Sequence, residues 1–435
     1  MSLNAIINLS ATHLLRSVLL LIVLANVRFA EAQDTVAVSL DQAEQLFVKN
    51  NLRLLAAKFN ISASRAVVMQ AGLWNNPTLA IDQNVYNPET RKYFDVTSTG
   101  NTDIQLQQLF VLAGKREKQV ELAEANRRMA EQTFYDVLRS LSYQLRSDFF
   151  RVYYIRQSLA FYDESVAYIQ RTVETTERLR EKQAILLVEV MRLKSLLFTL
   201  QKERLGLQNE LDERLLDLRI LLSDSTNANK TFLPLIDVGK LDSLTPGNIS
   251  LPEAIASALE NRPDYKLVQE SVRAEEANLS LQKALAVPDL AVGGHWSRAG
   301  DYIPNYFGLT VSMDLPIFNR NQGNIEASEY TLEANKRLQE STRRTIEKEV
   351  TSAYRKAIEV ENLYRAFNKR FPEEYRQLVV SMTANYEKRN IGIIEFTDFF
   401  ESYRNSIVQF HQLEYDRVEA FAGLNYAAGT LLIKF

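Results

Sequence analysis

The chain has 435 residues with 54 acidic and 51 basic side chains, a formal net charge of -3, so it lacks the positive field that holds a polyanion, and nucleic acid is disfavoured as a partner. It has no cysteine and three histidines, which removes disulfide frameworks, thiolate metal sites, cysteine nucleophiles, lipid attachment through cysteine and His-rich metal binding. With 14 glycines and 10 prolines, helix breakers are scarce, and long helices are expected.

From the N-terminus, Arg16 precedes an apolar run from Val18 to Ala25, and Ala30-Glu31-Ala32 then offers a small-x-small pattern before Gln33. Residues 1–32 therefore read as a cleaved export signal. The apolar core of ~8–10 residues is too short for a spanning helix, which needs about 20, and no comparable run follows in the mature chain. A buried helix is the alternative reading of this stretch.

Three landmarks then recur along the chain. Val38-Ser39-Leu40-Asp41-Gln42-Ala43 matches Ile249-Ser250-Leu251-Pro252-Glu253-Ala254, which also places Asn50 on Asn261 and Pro77 on Pro288. Ser39 and Ser250 are expected N-caps, the first in a capping box with Gln42, the second followed by Pro252. Leu112-Ala113-Gly114-Lys115-Arg116 aligns with Ile317-Phe318-Asn319-Arg320-Asn321, and Lys182 and Glu189 align with Lys388 and Glu395. The chain divides into two similar repeats, 33–248 and 249–435. Two units are too few for a solenoid, so the halves are expected to complete one structure together.

Each repeat holds a pair of alternating segments, about 77–86 and 102–110, then 289–297 and 306–315. Leu79, Ile81, Ile104 and Leu106 alternate with Ala80, Asp82, Gln105 and Gln107. Leu290, Val292, Gly294 and Trp296 form one face in the second repeat, as do Phe307, Leu309, Val311 and Met313 against Tyr306, Gly308, Thr310 and Ser312. About nine residues with one apolar and one polar face suit a membrane-spanning β-strand, although half-buried hairpins of a soluble domain read the same way. The polar loop from Asn87 to Gly100 is expected outside the cell. Trp74, Phe110 and Phe318 at one end of the strands, with Tyr86, Tyr93, Trp296, Tyr302 and Tyr306 at the other, are placed like interfacial girdles. Four strands cannot close a barrel, and an open edge cannot sit in lipid, so several chains must contribute.

Long helices are predicted over about 115–183 and 188–222, then 323–389 and 395–430. Phe134, Leu138, Leu141, Leu145, Phe149 and Val152 recur at 3–4 spacing, as do Leu207, Leu211, Leu215, Leu218 and Leu222, and Ile346, Val350, Ala353, Ala357 and Val360. Such seams pack helix on helix. Tyr143, Tyr153, Tyr154, Phe367 and Phe371 beside them suit helices buried on two flanks. Pro372 should kink the second long helix or start a new one at Glu373.

Helix, strand pair and long helical hairpin, given twice, resemble the TolC-like outer-membrane factor (outer membrane efflux protein) family over about Val38 to Thr430. Leu315-Pro316-Ile317-Phe318-Asn319-Arg320-Asn321-Gln322-Gly323, with Leu112 to Arg116 as counterpart, is most similar to its heavy-metal cation branch. The resemblance implies a mainly α fold with a small membrane β part, in which a homotrimer forms a twelve-stranded β-barrel continued by an α-helical barrel across the periplasm. It implies a passive outer-membrane conduit, not an enzyme, without catalytic residues, cofactor or metal site. The implied partners are a periplasmic adaptor (membrane fusion) protein, an inner-membrane pump of the resistance-nodulation-division type and outer-membrane lipid, and divalent metal cations are one candidate cargo. Junction geometry is assigned to Pro77, Gly114, Pro288, Pro316, Asn319 and Gly323, with Asn319 or Asn321 capping the helix that follows and Gly323 freeing the backbone.

The hairpins break at Ala184, Ile185 and Leu186 and at Ile391, Gly392, Ile393 and Ile394, so these are the implied periplasmic tips and adaptor contacts. Gly392 followed by Asp398 and Glu401 matches the family's inward acidic pair, which would make two stacked rings constricting the channel and attracting cations. Without the resemblance the two acids read as a solvated helix face. Ile394 stands where some members carry a locking Arg, so Arg389 or a plug of Ile393 and Ile394 has to replace that lock. Many relatives are lipidated at an N-terminal cysteine; this chain has none and relies on its barrel. No glycine-rich phosphate loop, HExxH pair or nucleophile elbow supports an enzyme. An exported coiled-coil scaffold or adhesin without a transport role is the other reading, but it has no need for duplicated amphipathic strand pairs.

Overall fold

The computed structural model describes residues 35–223, 231–299, 303–367 and 371–435; the expected export signal over 1–32 and Tyr302 lie outside the described residues. In chain order, β1 (Thr35–Ser39), α1 (Leu40–Asn50) and α2 (Leu52–Ala71) lead to β2 (Thr78–Gln83), a short hairpin of β3 (Tyr86–Asn87) and β4 (Lys92–Tyr93), and β5 (Thr102–Phe110). The long α3 (Lys115–Glu181) and α4 (Leu187–Leu222) follow, then β6 (Thr231–Leu235) and α5 (Val238–Ser243). The plan recurs in α6 (Leu251–Asn261), α7 (Pro263–Leu285), β7 (Leu290–Ser297), β8 (Tyr306–Met313), α8 (Gln322–Ala366), α9 (Phe371–Glu387) and α10 (Ile393–Ala428).

Both repeats start from the same local chemistry. Ser39 caps α1 and exchanges side-chain hydrogen bonds with Gln42, while Ser250 caps α6 and does so with Glu253, with Pro252 in the first turn. The boundary between α1 and α2 is set by Asn51, whose Oδ1 accepts from the Leu54 amide at 3.0 Å and whose Nδ2 donates to the Leu221 carbonyl at 2.9 Å. One buried amide thus caps a helix and ties the start of the repeat to the end of its long hairpin.

At 1.5 Å per residue the 67 residues of α3 span ~100 Å. Its seam residues Leu141, Leu145, Phe149 and Val152 are buried against Leu211, Leu215, Leu218 and Leu222 of α4. Asp148 interrupts this seam. Its carboxylate lies 3.3 Å from Arg214 Nη1 and only 4% of the side chain is exposed; burial, more than its neighbours, pushes its pKa up from 3.8 to about 6, with Arg214 opposing and Asp217 adding to the rise. A raised carboxyl pKa in the folded state means the burial penalty is absent below about 3.8 and complete above about 6. Asp148→Asn is therefore expected to match wild type in stability near pH 4 and to exceed it by up to about 3 kcal/mol at pH 7, checked by thermal unfolding in detergent at the two pH values.

The second long helix, expected over about 323–389 with a kink or a new start at Glu373, is divided, and the new helix starts two residues earlier than that. α8 ends at Ala366 and α9 begins at Phe371, with Pro372 in its first turn. Proline cannot donate to the preceding turn, and so the ladder stops there. Two further elements carry no local signal: β1 and β6 pair in parallel from Thr35↔Thr231 to Ser39↔Leu235.

The four amphipathic strands form one antiparallel sheet in the order β2-β5-β7-β8. Its central ladder joins the two repeats, from Asp103↔Ser297 to Phe110↔Leu290. The register places Leu79, Ile81, Ile104, Leu106, Phe110, Leu290, Val292, Trp296, Phe307, Leu309, Val311 and Met313 on one face and Ala80, Asp82, Gln105, Gln107, His295, Thr310 and Ser312 on the other. β2 stops at Gln83, short of the expected 86, because the chain turns there: Gln83 Nε2 donates to Asn84 Oδ1 at 2.9 Å and to the Asp95 carbonyl at 3.2 Å. The following loop contains β3 and β4 and is knotted around the Asp95 carboxylate, which accepts from Thr99 Oγ1 at 2.8 Å and from the Thr97 amide at 3.0 Å. Those bonds, led by the Thr97 hydroxyl, hold its pKa at about 2.

At Gly293 the neighbouring strand approaches so closely that a Cβ would stand 2.7 Å from the Leu106 carbonyl oxygen and 3.0 Å from the Gln107 Cα. Both obstacles are backbone and cannot rotate away. Gly293→Ala is expected to cost about 1–3 kcal/mol by prising β5 from β7, seen as a lower unfolding temperature by circular dichroism.

Candidate functional site at the hairpin tips

The two hairpin turns have one design. α3 ends through Gln183 at φ +58° and α9 through Arg389 at φ +60°. In the first, the Gln183 amide donates to the Arg180 carbonyl at 2.7 Å and the Ala184 amide to Leu179 at 2.9 Å; in the second, Arg389 donates to Tyr386 at 2.9 Å and Asn390 to Asn385 at 2.8 Å. These paired bonds satisfy the last carbonyls of each helix. The left-handed residue is not glycine in either turn, and Gly392, at φ -83°, caps α10 in extended geometry.

The turns meet. Arg389 Nη2 donates to the Ala184 carbonyl at 2.8 Å, joining the tip of the second repeat to that of the first. Above this link lies a cavity of about 560 Å³ lined by Thr172, Thr176, Ala184, Ile185, Glu189, Tyr386, Asn390, Ile391, Gly392 and Ile393. Tyr386 stacks on Phe396 with ring centroids 4.8 Å apart, and Phe396, Phe400, Ile169, Leu193 and Leu200 form the core of this end. Burial pushes the Tyr386 phenol up.

The tip residues separate into two sets. Ala184, Leu186, Gly392 and Ile394 are exposed, Ile185 and Ile391 are half-buried, and Ile393 is buried in its own protomer's core. The plug expected from Ile393 and Ile394 is corrected accordingly: a side chain packed against Tyr386 and Phe396 cannot also block a lumen, and Ile394 alone is free. Asp398 and Glu401 are both exposed, on the face of α10 opposite Phe396, Phe400 and Tyr403. With Ile394 and Asn405 they form a stripe at i, i+4, i+7 and i+11, and neither carboxylate has a hydrogen bond or ion pair among the described residues.

At the other end of the helices, Pro77 and Pro288 precede β2 and β7, and Pro316 follows β8. Gly114 caps α3 at φ +66°, and its counterpart in geometry is Asn321 at φ +61°. Asn319 Oδ1 accepts from the Asn321 amide at 3.0 Å, and Asn321 Nδ2 donates to the Gln282 carbonyl at 2.8 Å. Asn319 thus braces the turn and Asn321 makes it. Gly323 does not free the backbone as expected: it lies inside the first turn of α8, where a Cβ would meet nothing within 4 Å. The first junction is locked by Asp289, whose carboxylate takes Lys115 Nζ at 2.6 Å and the Leu112 amide at 2.9 Å; no spacing signals that pair. Among the described residues no group of three or more His, Asp or Glu side chains comes together to hold a metal ion, and no helix is long and apolar enough to cross a membrane.

The sequence profile of the outer membrane efflux proteins matches residues 44–223 and 254–430. The chain belongs to that family. The two matched segments fall one in each repeat. The cobalt-zinc-cadmium resistance protein CzcC of Cupriavidus metallidurans is 25% identical over 291 residues, which span 66% of this chain and 65% of that protein. A membrane protein from Pseudomonas aeruginosa superposes with a TM-score of 0.75 at 16% identity, covering 92% of this chain and 93% of its own. The CmeC outer membrane channel of Campylobacter jejuni gives 0.75 at 14% identity, over 90% and 85% of the two chains. The fold is TolC-like, as the repeated helix, strand-pair and hairpin order suggested.

Proposed function

We propose that three copies of this chain close into one β-barrel in the outer membrane and serve as the passive exit duct of a tripartite efflux system. The sheet carries this reading. Among the described residues the outer edges of β2 and β8 meet no further strand, most of the sheet's apolar side chains share one face, and an open strand edge in lipid costs several kcal/mol per unpaired group. Pairing β8 of one copy with β2 of the next satisfies every edge at twelve strands, with the apolar face outward and Gln105, Gln107, His295, Thr310 and Ser312 towards water. α3, α4 and α8 to α10 continue as a helical wall whose tips, at Ala184 to Leu186 and Ile391 to Ile394, contact a periplasmic adaptor that delivers cargo from an inner-membrane pump of the resistance-nodulation-division type. Pro77, Gly114, Pro288, Pro316 and Asn319 shape the change from barrel to wall. The repeats run over 33–248 and 249–435, behind an export signal removed after Ala32.

The similarity to a cobalt-zinc-cadmium resistance protein makes divalent cations the leading cargo, and the unpaired Asp398 and Glu401 would ring the entrance with negative charge that favours them. The test is recovery of the protein from detergent-extracted outer membrane as an SDS-resistant trimer giving stable single-channel steps in planar bilayers. A soluble periplasmic dimer without channel activity would instead return the chain to the scaffold class.

A further inference from the structure

We propose that the two strand-to-helix exits form a phospholipid-binding collar at the inner leaflet, in which the guanidinium groups of Arg116 and Arg320 meet lipid phosphates while Trp74, Leu315, Ile317 and Phe318 enter the acyl boundary beside them. This rests on the barrel reading and goes beyond it, because none of these residues belongs to a strand. Phe318 is 91% exposed, Leu315 70%, Trp74 63% and Ile317 62%. Leu315, Ile317 and Phe318 follow β8 directly past the rim where Phe110, Leu290 and Met313 lie in register, and Trp74 precedes β2 at that same end.

The charges fit that surface. Several other arginines of α3 hold a carboxylate, as Arg127 does with Glu124, Arg128 with Glu270 and Arg139 with Asp136 at 2.7 Å. Arg116 holds none among the described residues. Its guanidinium lies over the Trp74 ring, 4.2 Å from the centroid, with one N–H on the Gly72 carbonyl at 3.5 Å, so the remaining donors are available beside an exposed indole. The Arg320 side chain is likewise exposed without an acid partner among the described residues. An arginine fork matches phosphate oxygens, and an indole with one apolar and one polar edge belongs at the head-group level. Glu117 follows Arg116 directly and Asp314 lies six residues before Arg320, so an acid accompanies each arginine and the phosphate, not the overall charge of the lipid, is what the collar recognises.

The two tryptophans separate the collar from the barrel. Trp296→Phe leaves Trp74 as sole reporter, and Trp74→Phe leaves Trp296, which sits on the apolar sheet face; each full-length variant is reconstituted in vesicles of phosphatidylethanolamine and phosphatidylglycerol. A nitroxide-labelled head group is expected to quench Trp74 at least about twofold, and adding Arg116→Gln/Arg320→Gln is expected to reduce that quenching by about half. Quenching of Trp296 but not Trp74 by lipid-borne labels overturns the collar and keeps the barrel, as when a neighbouring copy covers Trp74. Failure of both reporters overturns the barrel reading itself. Quenching of Trp74 that is indifferent to the arginine changes overturns phosphate recognition.

Discussion

Asp398→Ala/Glu401→Ala is expected to reduce the preference of the reconstituted pore for cations over anions by about tenfold and to weaken its block by added divalent cations. In the proposed trimer six carboxylates would stand on two levels of the entrance, and charges of one sign in a low-dielectric constriction concentrate counter-ions. The two side chains are exposed and unpaired among the described residues, on the face of α10 away from Phe396 and Phe400, so alanine removes charge without opening a cavity in the tip core. Asp398→Asn/Glu401→Gln keeps their size and should reproduce the selectivity change while leaving the neutral-solute cutoff alone. Single-channel reversal potentials in a salt gradient give the ratio. An unchanged ratio would return both acids to the solvated helix face.

Arg417→Ala is expected to destabilise the folded protein by about 3–5 kcal/mol, the largest single effect among these substitutions. Arg417 is buried, its Nε on the Glu361 carboxylate, its Nη1 donating to the Leu241 carbonyl at 3.0 Å and its Nη2 to Leu244 at 2.6 Å. Its guanidinium also lies 4.5 Å from the Tyr364 ring centroid and 4.9 Å from that of Phe421. Arg365 Nε holds the other oxygen of Glu361 at 2.6 Å. Removing Arg417 leaves the buried Glu361 carboxylate with Arg365 alone and takes the donors from two carbonyls at the end of the first repeat, just where α8 ends. Denaturant unfolding in detergent measures the loss, and Glu361→Gln should recover part of it in the Arg417→Ala background because it removes the uncompensated charge.

What the residues disclosed in advance was whatever repeats or alternates. The strand pairs were legible because alternation at two residues survives translation into a sheet face, as Leu309 and Val311 show, and the seam from Leu141 to Val152 because its spacing is the helical period. Ser39 announced its cap by the glutamine three residues on, and Ser250 by the proline just inside the helix. The middle of the molecule was not legible. β1 and β6 depend on partners 196 residues apart, Arg417 finds carbonyls of Leu241 and Leu244 that no spacing connects to it, and β6 contains Pro234, which argues against a strand. At the tips, matching Lys182 to Lys388 located both turns, yet the Arg389 link to Ala184 is invisible because a backbone carbonyl has no sequence identity. The exit after β8 misled for a related reason: glycine at 323 suggested the left-handed position, whereas Asn321 adopts it and uses its side chain to hold Gln282.

The ladder between β5 and β7 has a consequence for how the molecule comes into being. Phe110 must wait for Leu290, 180 residues later, before its strand has an inner neighbour, so the first repeat leaves the ribosome with a hairpin that nothing yet completes. Such high contact order makes sheet assembly slow compared with formation of the local helices. In the interval Leu79, Ile81, Leu106 and Phe110 travel through an aqueous compartment as an unpaired apolar surface, the condition under which chains aggregate. Holding factors that bind extended apolar segments therefore have their greatest effect on this nascent half, and a split chain supplied as two separately made repeats would have to find its partner at the same ladder before either could enter the membrane.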